Sequence, residues 1–349
     1  MADKSAIEWT DATWNPVVGC SILSPGCTHC YAMKMAGRIE AMGGAKHYAG
    51  TTKKVNGNTV WTGKLAMAPD HILLQPLAWR APRRIFVNSM GDLFHEDVPD
   101  EWIDRVFAVM ALAPQHTFQV LTKRARRMRE YLDATDVAVR IWKQAFSIGR
   151  DFPALSGKLY SLWNPEHAAA RAWPLPNVWL GVSAERQQEA DERIPELLAT
   201  PAAIRFVSAE PLLGPIDFRY LQPGDPPVEI DALNGTHGVL RPHGGRSGRL
   251  DWIIVGGESG PDARPMHPAW ARSIRDQCKT TSTAFFFKQW GEHRPLTPAE
   301  HGQACGATLV GNPFDKDAYF LRVGKKAAGR LLDGVEHNAM PGPREVPAL

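Results

Sequence analysis

Seven short apolar runs recur along this chain, each ending in a polar or glycine-containing turn: residues 13–18, 84–88, 117–121, 178–182, 204–207, 252–255 and 284–287. Their apolarity is continuous rather than alternating, the mark of strands covered on both faces, as in parallel sheets. Helical patterns fall between them at residues 31–41, 99–112, 124–146, 185–199 and 268–278. The second of these opens with proline and acidic residues, as helices do. Strand and helix in this alternation predict an α/β fold, a parallel βα TIM-type barrel, partial or near-complete, or else a doubly wound sheet. Three segments interrupt the rhythm as insertions, at residues 43–82, 151–176 and 222–249, and residues 292–349 form an extension to the same single domain. Asn56-Gly57 between β-formers predicts a hairpin inside the first insertion.

Residues 20–31 read Cys-Ser-Ile-Leu-Ser-Pro-Gly-Cys-Thr-His-Cys-Tyr and hold three of the five cysteines, Cys20, Cys27 and Cys30. An odd cysteine number in a chain of 349 residues argues against a disulfide framework. Thiolates this dense suit a soft metal or an iron–sulfur cluster. The loop follows the first predicted strand, so its thiols face the carboxyl ends of the strands, where ligands gather in such folds. Three thiolates leave one iron of a 4Fe–4S cluster without a protein ligand, open to substrate or cofactor. Of the remaining cysteines, Cys278 lies in an apolar helical pattern and reads as core. Cys305 lies in a loop and reads as an exposed thiol.

The other strand ends carry a consistent set. Asn88-Ser89-Met90-Gly91-Asp92 follows the second strand, and Lys123 closes the third. Ser183 and Glu185 follow the fourth, Glu210 the fifth, Gly256-Gly257-Glu258 the sixth, and Lys288-Gln289 the last. Any one glutamate there can simply cap the next helix. Six charged ends on one rim suit a zwitterionic ligand bearing a ribose, its amino group on carboxylate and its carboxylate on lysine.

These residues resemble the radical S-adenosylmethionine superfamily, in which a three-cysteine loop after the first barrel strand holds 4Fe–4S. Asn88 to Phe94, Leu121-Thr122-Lys123, Gly256 to Gly260, Phe286 to Gly291 and the tail from Gly324 to Gly334 look like a phage- and prophage-associated branch of it. Six residues separate Cys20 from Cys27, where three are usual there. Among characterised members the strand-end pattern is similar to spore photoproduct lyase, a DNA-repair enzyme. The resemblance implies that the open iron is chelated by S-adenosylmethionine, which is reductively cleaved to a 5′-deoxyadenosyl radical. It implies Ser89 and Asp92 on the amino group, Lys123 on the carboxylate, and Ser183 and Glu185 on the ribose. Asn88 and Glu210 join the cofactor set, with Glu258, Lys288 and Gln289 as candidate catalytic residues. It further implies an external electron donor such as flavodoxin or ferredoxin.

A nucleic-acid base, in DNA or RNA, is the expected substrate. Lys123, Arg124, Arg126, Arg127 and Arg129 form a basic run that can contact phosphates. Trp9, Trp14, Trp61, Trp163 and Trp290 lie in or near loops and can stack bases. Each feature has a plainer reading: a solvated helix face for the charges, and staples of insertions onto the domain for the rings. No run of about 18 apolar residues marks a membrane span, and Met1 to Trp14 lacks a signal-peptide core, which points to the cytoplasm. The alternative from another class is a non-enzymatic nucleic-acid-binding protein with structural zinc at the same cysteines.

Overall fold

The computed structural model describes residues 5–151, 173–224, 228–237, 248–296, 300, 308–312 and 315–342. All seven predicted runs form strands: β1 (Ala12–Trp14), β2 (Arg84–Val87), β3 (Thr117–Thr122), β4 (Val178–Ser183), β5 (Ile204–Ala209), β6 (Trp252–Gly256) and β7 (Ala284–Gln289). They pair in sequence order, every neighbouring pair parallel, in one sheet with β1 and β7 at its edges. The sheet curls into a half-barrel. The alternative of a doubly wound sheet is excluded, because that topology requires the strand order to reverse. The longer helices among the described residues are α1 (Tyr31–Met42), α2 (Asp100–Leu112), α3 (Ala125–Leu132), α4 (Val137–Arg150), α5 (Gln187–Ala199) and α6 (Pro268–Thr281).

Strand side chains alternate between the faces, and the two faces carry separate cores. Ile85, Val87, Phe118, Val120, Leu180, Val182, Val207, Ile253, Val255 and Phe287 join the helices in the larger core. The inner face packs Trp9, Phe206, Trp252, Ile254 and Phe286 with Phe86, Leu121 and Trp179. The Phe206 ring fills this interior by lying over Gly181: a Cβ there would sit 2.5 Å from two of its atoms. Trp9 meets Phe86, Phe206 and Trp252 with ring centroids 4.9, 6.4 and 6.0 Å apart, closing the floor of the half-barrel.

The free edge of β7 is covered by the tail. Phe287 N donates to His337 O (2.9 Å), Phe286 and Asn338 form an antiparallel bridge, and Trp252 Nε1 donates to Ala339 O (2.9 Å). Arg84 Nη1 reaches Met340 Sδ at 2.7 Å, so the same segment spans from β7 to the start of β2. An open edge is thereby removed as a site of foreign pairing.

Two expected elements are divided. The predicted strand 13–18 stops at Trp14, because Pro16 lacks the N–H a ladder needs. Val17–Val18 instead pairs antiparallel with Ala66–Met67. The predicted helix 124–146 is two helices, broken at Asp133-Ala134-Thr135-Asp136, where short polar side chains compete for the backbone, and α4 folds back on α2. The expected hairpin pairs Thr52–Val55 with Asn58–Trp61, with positive φ at Asn56 (48°) and Gly57 (79°). Trp163 and Cys305 lie outside the described residues, as does most of the insertion at 151–176. No helix among the described residues is long and apolar enough to cross a membrane.

Gly181→Ala should cost about 1–3 kcal/mol by overpacking, although alanine ordinarily suits a strand better than glycine. Denaturant unfolding checks this, with Phe206→Leu in the same chain recovering part of the loss. Strictly additive costs would show that the ring contact is not the cause.

Candidate functional site

The cysteine loop leaves β1 and crosses the carboxyl-terminal rim of the sheet. Cys27 ends a single 3-10 turn, Pro25–Cys27, and Cys30 precedes the first residue of α1. All three loop thiols are free. The loop is pressed so closely onto the rim that a Cβ on Gly26 would lie 2.2 Å from Glu185 Oε1.

Three groups of rim residues tether it. Behind β3, Arg124 Nη2 donates to Ser21 Oγ (2.7 Å) and Nη1 to Cys20 Sγ (3.7 Å), while Ser21 Oγ also meets His95 Nε2 (2.8 Å). Behind β4, Ser24 Oγ donates to Glu185 Oε1 (2.9 Å). Behind β6, His29 Nδ1 lies 3.1 Å from Glu258 Oε2, and Arg264 Nη2 donates to Pro25 O (3.0 Å).

Glu185 is wholly buried and ion-pairs with Lys123 and, at 3.1 Å, with Arg193. Burial works to raise its pKa, and the two cations with Ser24 outweigh it, holding the carboxyl below the usual 4.5. Glu258 follows the same balance: burial opposes ionisation, and Arg264 and His29 overcome it. Arg264 grips Glu258 with Nη2 on Oε1 (2.6 Å) and both Nε and backbone N on Oε2 (2.9 and 2.8 Å). The thiols shift the other way. Burial, with Asp92 nearby, pushes Cys20 up to about 12, and burial raises Cys30, with a charge on Cys27 adding to it. Cys20 likewise feels a charge on Cys30.

The expected site residues do gather at this rim, but the charged ones engage one another. Asp92 accepts from Thr122 Oγ1 (2.6 Å), Lys123 N (3.1 Å) and Arg124 Nη1 (3.1 Å). Lys123, expected on a ligand carboxylate, holds Glu185, expected on the ribose. Lys288 pairs with Glu210 at 3.0 Å, and Ser208 Oγ also donates to Glu210 (3.0 Å). Gln289 Nε2 donates to Gly257 O (2.9 Å), tying β7 to the loop after β6. Asn88, at φ 58°, turns the chain back so that its Oδ1 accepts from Val17 N (3.3 Å). Ser89 Oγ donates to Asn15 Oδ1 (3.1 Å). Ser183 is buried, and its carbonyl accepts from Arg193 Nη1 (2.9 Å). Arg124, Arg193, Arg264, Ser24 and His95 were not anticipated as site residues.

Most residues of the basic run and of the tryptophan set are engaged within the fold. Arg124 is buried, Arg127 pairs with Asp100 and Arg129 with Glu196, and the exposed Arg126 pairs with Glu130 at 2.9 Å. Trp9, Trp14, Trp61 and Trp290 are buried rather than offered to bases, and Cys278 sits in the core as expected. A single metal ion needs donors converging on one point. Among the described residues no group of three or more His, Cys, Asp or Glu does so.

The chain belongs to the family described as "Protein of unknown function (DUF5131)", which it matches over residues 4–341. This is a different family from the radical S-adenosylmethionine superfamily, so the superfamily resemblance, its phage-associated branch and the likeness to spore photoproduct lyase are overturned. The features that suggested them, a cysteine loop after the first strand and polar strand ends, can arise wherever a parallel half-barrel builds a site at its rim. No curated protein and no solved structure matches the chain.

Glu185→Gln should destabilise the protein by about 3–5 kcal/mol, since it leaves Lys123 and Arg193 without their buried counter-ion. The lowered carboxyl contributes stability that is complete above pH 4.5 and is lost as pH falls through its folded value. Denaturant titrations at several acid pH values should therefore show a flatter decline for the variant than for the parent.

Proposed function

We propose that Cys20, Cys27 and Cys30 hold a 4Fe–4S cluster and that the protein is an enzyme using it to cleave S-adenosylmethionine reductively. The observation carrying this reading is the thiol set: three free cysteines on one loop that Arg124, Glu185 and Glu258 tether across the rim. A 4Fe–4S cube takes one thiolate at each liganded iron, so three cysteines can hold it and leave one iron open. Such a cluster, when bound, supplies an electron and one open iron able to chelate an amino-carboxylate. The reading rests on these donors and not on membership of another family.

The chain's own residues supply position and charge. Lys123 keeps some exposure while Glu185 has none. A ligand carboxylate arriving at the rim can share Lys123, and Arg193 continues to neutralise Glu185. Lys288 and Glu210 form a second matched pair on the inner face, facing the same opening. The aromatic floor beneath them, from Trp9 to Phe286, keeps the base of the half-barrel dry. The paired arginines and buried tryptophans leave the substrate class to direct assay. Structural zinc takes four protein ligands, and beyond the three loop thiols Cys278 lies in the core and His29 is engaged by Glu258.

Anaerobic reconstitution should give brown protein with about four irons and four sulfides per chain, lost when any one of Cys20, Cys27 or Cys30 becomes Ala. With reductant and S-adenosylmethionine it should form 5′-deoxyadenosine. Colourless protein that takes up no iron would overturn the reading. Lys123→Ala removes a charge-assisted contact of about 1.5–3 kcal/mol, so it should weaken S-adenosylmethionine binding about ten- to hundredfold. Equilibrium dialysis of loaded protein checks this.

A further inference from the structure

Arg124 lies within a basic run, yet it is almost wholly buried and meets four groups at once. Nε donates to Glu96 Oε2 (2.9 Å), Nη1 to Asp92 Oδ2 (3.1 Å) and to Cys20 Sγ (3.7 Å), and Nη2 to Ser21 Oγ (2.7 Å). Because the guanidinium is a rigid planar fork, contacts on three of its edges fix where the fourth points. It points at a cysteine sulfur. Asp92 does not need this arginine for its hydrogen bonds, since Thr122 Oγ1 and the backbone N–H groups of Lys123 and Phe94 already donate to it. Glu96 is largely exposed and can be satisfied by water. What remains distinctive about the position is the sulfur.

We propose that Arg124 is the charge-compensating residue of the cluster, and that its N–H···S contact to Cys20 sets the cluster's reduction potential. This rests on the cluster reading above. One-electron reduction makes a thiolate-ligated cluster more negative by one charge. A fixed cation against a ligand sulfur therefore stabilises the reduced form more than the oxidised one, and hydrogen bonds to ligand sulfur act in the same direction. Burial strengthens the effect, because little water lies between guanidinium and sulfur to screen it. Asp92 and Glu96 moderate it: each withdraws part of the positive charge, and both hold the fork in aim.

The test is a redox titration of anaerobically reconstituted protein, following the reduced cluster by electron paramagnetic resonance, with iron and sulfide measured on every sample. Arg124→Gln should keep its iron while its reduced-to-oxidised ratio at a fixed poise falls about tenfold, a potential lower by about 59 mV for one electron. Arg124→Lys, which keeps the charge but not the fork, should fall between Gln and the parent. Glu96→Gln should move the ratio the opposite way, because it leaves Arg124 less neutralised. General loosening of the loop would not produce opposite signs. Full iron with an unchanged ratio in Arg124→Gln overturns the proposal. If that variant loses iron, Glu96→Gln decides: a raised ratio supports the proposal, and no shift or a fall overturns it. Parent protein without iron or sulfide overturns the cluster itself, and is told apart from the other failures by the metal analysis.

Discussion

A carboxylate cut off from water must be neutralised by its neighbours, and at Glu185 those neighbours come from three separate pieces of chain. Lys123 follows β3, Arg193 projects from α5, Ser24 belongs to the cysteine loop, and Gly26 admits the carboxylate at a distance no larger residue would allow. The sheet, the helix behind it and the loop across its rim therefore meet at one charge. Burying an ion this way is costly unless the set of partners is complete. The loop's path is specified by that requirement more than by its own sequence, which includes Pro-Gly and short polar residues without regular structure.

The tethers at Arg124 and Glu258 extend the same logic to either side. Each joins a cysteine-loop group to residues behind a different strand, so the spacing of the strands is transferred to the spacing of the thiols. Glu258, expected among the catalytic residues, is held by Arg264 in a bidentate grip and reads as an anchor in this structure. Lys123 and Lys288, both partly accessible at the rim, each face a carboxylate. Such matched pairs suit a ligand that carries both signs, because it can exchange with either member without leaving a buried charge alone.

How far this was legible in the sequence depended on how local the signal was. Continuous apolar runs located all seven strands, since burial on both faces is imposed residue by residue. Asn56-Gly57 located the hairpin because the turn demands positive φ at both positions. Pro16 and the stretch at 133–136 were local signals too, and they divided elements that periodicity alone had joined. The strand-end residues were placed at the right rim, but their partners were not. Arg124 reads like the rest of its basic run until Asp92, Glu96 and Ser21 are brought beside it from thirty or a hundred residues away. The tryptophans misled for a related reason: Trp9 sits in a non-strand segment, yet that segment is the floor of the half-barrel. The superfamily resemblance failed because it generalised from features that barrel geometry can produce in unrelated chains.

The segment across β7 bears on the order in which the molecule can be completed during synthesis. Domains tend to fold from the amino-terminal end as the chain emerges. Here Phe287 N, the bridge at Phe286 and the indole N–H of Trp252 find their partners at residues 337–339. Until those residues leave the ribosome, the nascent sheet carries an unpaired parallel edge over an aromatic interior. Translation past residue 340, rather than past β7 itself, therefore marks the moment at which the β7 edge stops being one to which another chain could add.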